Sequence, residues 1–186
     1  MTTLYAFTGK KGSGKSTAAK YVAEKTGAVR INFKDALVQE MKENFPDLLE
    51  ELSYLYNPDE HGMEGWNFLF REKPDLVRAL MQNYGTEVRR GDNPDYWTQK
   101  WFYKVNQLDN VVTDDVRFLN EAKGVKFLDG VIIRIIRSDI TSTKGHLSET
   151  EMDQIEADYT VEVEKGDLID LYQQLDAIIG DAKTNP

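Results

Sequence analysis

The sequence predicts an α/β fold, with a five-stranded parallel sheet covered by helices on both faces to give three layers. Three observations carry that expectation. Short apolar runs alternate with amphipathic stretches along the 186 residues. The first apolar run, LYAFT (4–8), leads through GKKGSGKS (9–16) into the helical pattern TAAKYVAEK (17–25). A later run, VIIRIIR (131–137), is apolar enough for a strand buried on both faces, as parallel strands are.

The elements are expected as follows. Leu4 to Thr8 is the first strand. A helix runs from Lys15 to Thr26, with Ala19, Val22 and Ala23 on one side and Gly27 as its stop. AVRINF (28–33) reads as the second strand, and Asp35 to Asn44 as a helix with Ala36, Leu37 and Met41 at helical spacing. Residues 45–75 mix Pro46, Pro58, Pro74, Gly62 and Gly65 with Tyr54, Tyr56, Trp66, Phe68 and Phe70, a composition of loops and short helices. Helical patterns return over Leu76–Arg89 and Tyr96–Leu108. NVVT (110–113) is the third strand, Phe118–Phe127 a helix and 131–137 the fourth strand. Glu151–Ile155 suits a short helix, YTVEV (159–163) a fifth strand and Asp167–Ile179 a closing helix, with a loose tail in the last seven residues. No internal repeat is visible.

Composition narrows the function. The net charge is −9, which argues against a protein whose task is to grip a nucleic-acid backbone. It leaves room for a small phosphorylated ligand in a locally basic pocket. Cysteine is absent and the two histidines, His61 and His146, lie far apart, so neither disulfides nor a zinc site is expected. No apolar run approaches a membrane span, and the start lacks the apolar stretch of a signal peptide. These absences favour a soluble, cytoplasmic protein.

Gly9, Gly14, Lys15 and Ser16 match G-x-x-x-x-G-K-[ST] in the strand–loop–helix setting that the pattern requires. Glycines let the backbone curl with its N–H groups inward, where they and the helix N-terminus hold phosphate oxygens. A nucleoside triphosphate is therefore expected over Gly9, Lys10, Lys11, Gly12, Ser13, Gly14, Lys15, Ser16 and Thr17, with Lys10, Lys11 and Ser13 adding contacts that the pattern does not demand. Lys15 would reach the β- and γ-phosphates, and Ser16 would ligate Mg2+.

Ligands on parallel sheets sit outside the C-terminal ends of the strands, so residues there gain weight. After the third strand come Asp114, Asp115 and Arg117. An acid here would hold a magnesium-bound water or orient the acceptor, or would cap a helix. Arg117 has the fork to clamp a phosphate. After the second strand, Asp35 either caps a helix or orients the acceptor. Within LMQNYGTEVRRG (80–91), Gly85 interrupts a helical pattern, which points to close packing or a bend. Gln82 and Thr86 are candidate base or phosphate contacts. Arg89 and Arg90 are adjacent, so at most one is expected to face a site, with Arg90 assigned to the acceptor. Tyr84, Tyr96 and Trp97 either stack on a base or pack as core or lid. Arg137, at the exit of the fourth strand, is the better catalytic candidate, with Arg134 beneath it paired to a carboxylate. Lys144 and His146 fall in a closing loop, and Ser148 either caps a helix or adds a ligand contact.

The stretches GKKGSGKS (9–16), FKDAL (33–37), LMQNYGTEVRRG (80–91), DVRFLNEA (115–122) and HLSETEMD (146–153) together resemble the phage-type deoxynucleoside monophosphate kinases, within the P-loop nucleoside monophosphate kinase group. The resemblance implies one P-loop kinase domain over 1–186, with a nucleoside-monophosphate-binding region at 34–108 and a short lid at 138–150. It implies ATP- and Mg2+-dependent phosphorylation of a dNMP to a dNDP, with Lys15, Arg117 and Arg137 as catalytic residues. Asp35, Gln82, Thr86, Arg90, Asp115 and Arg117 would bind the acceptor. Partners would be small nucleotides, with no nucleic acid and no membrane, in a monomer or homodimer, within a bacterial host's cytoplasm if phage-encoded. A dephospho-coenzyme A kinase and a non-catalytic nucleotide-dependent interaction module are the alternatives.

Overall fold

The computed structural model describes residues 3–52, 55, 65–140 and 151–184. Tyr54, Tyr56, Pro58, His61 and Gly62, and most of the expected lid with Lys144, His146 and Ser148, lie outside the described residues. The chain forms two compact units, 1–33 with 98–186, and 34–97.

The first unit holds a five-stranded sheet in the order β2-β3-β1-β4-β5, with every neighbouring pair parallel. The strands are β1 (Thr3–Thr8), β2 (Val29–Arg30), β3 (Asn110–Thr113), β4 (Val131–Arg137) and β5 (Tyr159–Val163). Alternate side chains feed two apolar layers. On one face Tyr5, Phe7, Val112, Ile133, Ile135 and Val161 pack against α1 (Lys15–Thr26) and α8 (Leu168–Thr184). On the other, Leu4, Ala6, Val111 and Ile132 pack with Trp101 and Val105 of α6 (Tyr96–Val105) and Val125 of α7 (Leu119–Phe127). Helices on both faces are what a parallel sheet requires. Among the described residues, no helix is long and apolar enough to cross a membrane.

Two boundaries depart from expectation for identifiable reasons. The second strand is expected over 28–33, yet its ladder covers Val29–Arg30 alone. Ala28 is drawn into the end of α1, where its N–H donates to the Ala23 carbonyl (3.1 Å). Phe33 starts α2 (Phe33–Asn44), stacked on Trp101 at 4.5 Å between ring centroids. The Ile31 N–H still donates to the Val112 carbonyl (3.0 Å), while side chains take up the Ile31 carbonyl. The Thr113 hydroxyl (2.7 Å) and the Trp101 indole N–H (3.2 Å) both donate to the Ile31 carbonyl. The second departure is at the C-terminus, where α8 runs to Thr184 instead of stopping at Ile179. Ala182 packs against the same apolar layer as Ile178 and Ile179 and carries the helix through Gly180.

The second unit is helical: most of α2, then α3 (Leu48–Glu51), α4 (Gly65–Glu72), α5 (Asp75–Gln82) and a π-helix, π1 (Asn83–Arg90). Met41, Leu69, Phe70, Val77 and Met81 form its core. The bend expected at Gly85 is this π-helix. A Cβ on Gly85 would sit 3.1 Å from Leu37 Cδ2, so glycine brings π1 hard against α2.

Two glycines test the packing. A Cβ on Gly130 would meet Val125 Cγ1 at 2.7 Å and Leu4 Cδ2 at 2.8 Å, both in the core. Gly130→Ala is therefore expected to cost about 1–3 kcal/mol in urea unfolding. Gly180 lies inside α8, and a Cβ there would meet nothing within 4 Å. Gly180→Ala should stabilise by about 0.5–1 kcal/mol.

Candidate functional site

The loop between β1 and α1 is shaped by three glycines with positive φ: Gly9 (137°), Gly12 (83°) and Gly14 (104°). Gly9 is the tightest, since a Cβ there would lie 2.3 Å from the Ile135 carbonyl oxygen of β4. Gly14 takes the N-cap position of α1 with no side chain capping the helix, so the first N–H groups of α1 face the loop. Ser13 is 2% exposed, and its hydroxyl is buried without a hydrogen-bond partner. Lys15 is buried, and its ammonium donates to the carbonyls of Gly9 (2.5 Å) and Lys10 (2.7 Å). Ser16 and Thr17 are the second and third residues of the helix, and both are exposed.

Together these features fit a phosphate chain: a curled backbone, an uncapped helix N-terminus, an orphaned buried hydroxyl and a held cation. Lys10 joins Arg134 and Arg137 in lining a cavity of about 50 Å³ beside the loop. Among the described residues, no three acids or histidines gather to hold a metal. A cation here would share the Ser16 hydroxyl with phosphate oxygens and water, as Mg2+ commonly does.

The exit of β3 carries the two acids. Asp114 is buried and accepts from Arg30 Nη2 at 2.6 Å, while its own N–H donates to Asn32 Oδ1 (2.8 Å). Asp115 Oδ1 accepts the Phe33 N–H at 3.0 Å, so it secures the first residue of α2. Asp35 is not the cap of that helix. It sits inside the first turn, where a negative charge suits the helix dipole. Arg117 is fixed through its backbone. The buried Glu121 carboxylate accepts from the N–H groups of Arg117 (2.8 Å) and Phe118 (3.1 Å), and Glu151 accepts from Leu119 N–H (3.2 Å). Among the described residues, the Arg117 guanidinium makes no hydrogen bond or ion pair.

At the exit of β4, Arg137 pairs with Asp139 (Nε–Oδ1 2.5 Å, Nη2–Oδ2 3.3 Å). Arg134 is expected to meet a carboxylate, but its Nη2 donates to the carbonyls of Ile155 (2.5 Å) and Met152 (3.3 Å). It pins the segment before β5 onto β4.

In the second unit Gln82 is exposed, Thr86 half-buried in π1, and Arg90 donates to the Pro94 carbonyl (3.1 Å). Trp97 is buried, its indole N–H on the Gly85 carbonyl (2.8 Å), which is packing rather than an open face. Tyr84 and Tyr96 instead converge with Arg89 on Glu40, a buried acid that sequence reasoning passed over. Its signal was present: Glu40 falls on the apolar stripe of α2, between Ala36, Leu37 and Met41, where a charge is out of place. Arg30 and Glu121 were missed as well. Glu121 stands three residues after Phe118, a capping spacing.

The Arg137–Asp139 pair has a pH signature. The guanidinium holds the Asp139 carboxyl below the ordinary aspartate value of 3.8. A depressed folded-state pKa gives stability that is present above the unfolded value and lost as pH falls through the folded one. Carboxyl NMR titration should find Asp139 below 3.8, and Arg137→Gln should raise it towards that value.

No protein-family model matches the chain. A protein of Acanthamoeba polyphaga mimivirus, described as a "Putative deoxynucleotide monophosphate kinase", is 31% identical over 199 residues, covering 96% of this chain and 97% of its own. Among solved structures, TT1252 from Thermus thermophilus aligns with a TM-score of 0.50 at 19% identity, over 97% of each chain. A shikimate kinase from Acinetobacter baumannii aligns at 0.50 and 13% identity, over 98% of this chain and 96% of its own. These two share the fold: an α/β sandwich around a five-stranded parallel sheet. With the 31% identity to the viral protein along nearly the whole length, the chain belongs to that protein's family, within the P-loop nucleoside-monophosphate-kinase-like proteins.

Proposed function

We propose that the chain transfers the γ-phosphoryl group of ATP to a deoxynucleoside monophosphate, giving ADP and a deoxynucleoside diphosphate. The glycine cradle at 9–16 carries this reading, in a chain whose viral relative bears a deoxynucleotide monophosphate kinase description. An oxygen of the acceptor phosphate attacks the γ-phosphorus, and the bond to the β–γ bridging oxygen breaks. That attacking oxygen is already ionised near neutral pH, so positioning and charge neutralisation matter more than a general base. The loop N–H groups hold the β-phosphate. Lys15, already confined to the loop, neutralises charge on the transferring group, and Arg137 adds to this. Mg2+ bound with ATP would supply further charge neutralisation, held by Ser16 and the phosphates. Arg117 would clamp the acceptor phosphate with two donors. Asp35, Gln82, Thr86 and one of the adjacent pair Arg89 and Arg90 are proposed to contact the acceptor. Asp115 contributes by securing the start of α2. The region 34–108 is proposed to bind the monophosphate, and 138–150 to close as a lid, limiting hydrolysis. A phage-type substrate range is part of the same proposal.

Lys15→Ala should lower turnover by roughly two to three orders of magnitude, the effect of losing one preorganised electrostatic group. Thermal unfolding should shift little, because Lys15 belongs to neither apolar layer of the sheet. Near-normal turnover in a folded variant would remove Lys15 from the chemistry.

Arg117→Lys keeps the charge and loses the fork. The KM for dNMP should rise on the order of tenfold, with ATP affinity unchanged. A purely structural Arg117 would lower stability and leave acceptor kinetics alone.

Specificity constants for dAMP, dGMP, dCMP and dTMP against their ribonucleotide partners test the sugar preference. Deoxynucleotides should be favoured several-fold. Equal values would reject that preference while keeping the kinase reading, and activity confined to dephospho-coenzyme A would replace it.

A further inference from the structure

We propose that Arg89, held by Glu40, Tyr84 and Tyr96 on the π-helix, is a preorganised binding residue for the phosphate of the acceptor nucleotide. The proposal deepens the transfer reading above and rests on it for the identity of the anion.

Glu40 is 7% exposed, and both of its carboxylate oxygens are engaged. Oε1 accepts from the Tyr84 hydroxyl (2.7 Å) and from Arg89 Nη2 (2.5 Å), and Oε2 from the Tyr96 hydroxyl (2.6 Å). Arg89 also donates from Nε (3.1 Å) and Nη2 (2.7 Å) to the Tyr84 oxygen, which takes a further bond from Asn44 Nδ2 (3.0 Å). The guanidinium carbon lies 5.1 Å from the Tyr84 ring centroid and 5.2 Å from that of Tyr96. One edge of the guanidinium is thus fully committed. Among the described residues, Nη1 makes no hydrogen bond, and the side chain is 32% exposed.

The π-helix makes this arrangement possible. Tyr84 and Arg89 are five residues apart, and on an α-helix of 3.6 residues per turn such a pair points about 140° apart. The wider i→i+5 turn of π1 brings them onto one side. Gly85 and Trp97 keep that turn in place, Gly85 by lying against Leu37 and Trp97 by donating to the Gly85 carbonyl. Leu37 is one helical turn before Glu40, so the same contact presents Glu40 to Arg89.

A buried ion pair adds little stability compared with apolar packing of the same volume. Its evident product here is orientation: a planar cation fixed through Nε and Nη2, stiffened by two rings and open at Nη1. A guanidinium whose rotamers are settled beforehand binds an anion without the ordering cost of a free side chain. The two N–H groups of Nη1 can make charge-assisted hydrogen bonds to phosphate oxygens. Arg90 offers a contrast, turned to the Pro94 carbonyl. Tyr84, Tyr96 and Glu40 are positioning residues in this scheme, since they act through Arg89.

The test uses the full chain and two readouts. In arginine side-chain NMR, the Arg89 Nε–H signal, assigned by its loss in Arg89→Lys, should shift on titration with dAMP, dCMP, dGMP or dTMP. It should stay in place with the phosphate-free deoxynucleosides and with ATP. In kinetics and calorimetry, Arg89→Lys should weaken dNMP binding roughly tenfold to a hundredfold and leave the ATP constant within about twofold. Tyr84→Phe, a milder change, should weaken dNMP binding several-fold and keeps the proposal testable if the lysine variant fails to fold. Unchanged dNMP binding in a folded Arg89→Lys would overturn the proposal, and so would an Arg89 signal that moves with ATP in place of dNMP. Binding of dNMP through Arg89 without ADP formation would leave this inference standing and sink the transfer reading. Normal transfer with Arg89 uninvolved would do the reverse. A wild-type chain that binds no dNMP would overturn both.

Discussion

The β1–α1 loop runs so close to β4 that a Cβ on Gly9 would lie 2.3 Å from the Ile135 carbonyl oxygen. With φ at 137°, no other residue suits the position. That contact sets where the chain leaves the sheet, and the rest of the first unit follows. The loop can then turn back tightly enough for Lys15 to reach the Gly9 and Lys10 carbonyls. Helix α1 starts beneath it with small residues, Ala18 and Ala19, wholly buried against the sheet. The loop's neighbour after β3 is tied in by Val116 N–H on the Phe7 carbonyl (3.2 Å). A loop so constrained can offer its N–H groups to an anion with little reorganisation, which is where electrostatic catalysis gains most.

The same economy of motion recurs among the cations. Arg30 is held by a buried aspartate, Arg89 by a buried glutamate and Arg134 by two carbonyls. Arg117 is held through its backbone by Glu121. Each acid sits on or beside a regular element, so the cation it orients inherits the rigidity of that element. In a chain with a net charge of −9, this local pairing decides where positive charge can meet a ligand. Arg117 and Nη1 of Arg89 are places where it is left uncommitted among the described residues.

Much of this was legible in the sequence, for reasons specific to each element. β3, β4 and β5 are bounded by polar or glycine residues and filled with β-branched ones, so period and composition agree. α1 is bracketed by Gly14 and Gly27, which mark its ends by their backbone freedom. β2 was overread because its end is decided elsewhere. Phe33 looks like a strand residue, but a carboxylate 82 positions later accepts its N–H and a tryptophan ring covers it. Gly85 signalled an irregularity, yet the pairing of Tyr84 with Arg89 emerges only once the turn is known to be π. Glu40 is the instructive omission, because a charge on an apolar stripe implies a partner. Long-range partners of this kind leave no local period, and those were the parts of the site that sequence reasoning missed.

The central claim is that the cradle and the placed cations serve transfer between two phosphates rather than hydrolysis or simple nucleotide binding. Phosphorus-31 NMR of the purified chain with ATP, Mg2+ and a dNMP follows every species at once. The prediction is that ADP and dNDP β-phosphate signals grow one for one as the dNMP signal falls, with little inorganic phosphate. Inorganic phosphate rising with ADP while all four dNMP signals stay constant would contradict it.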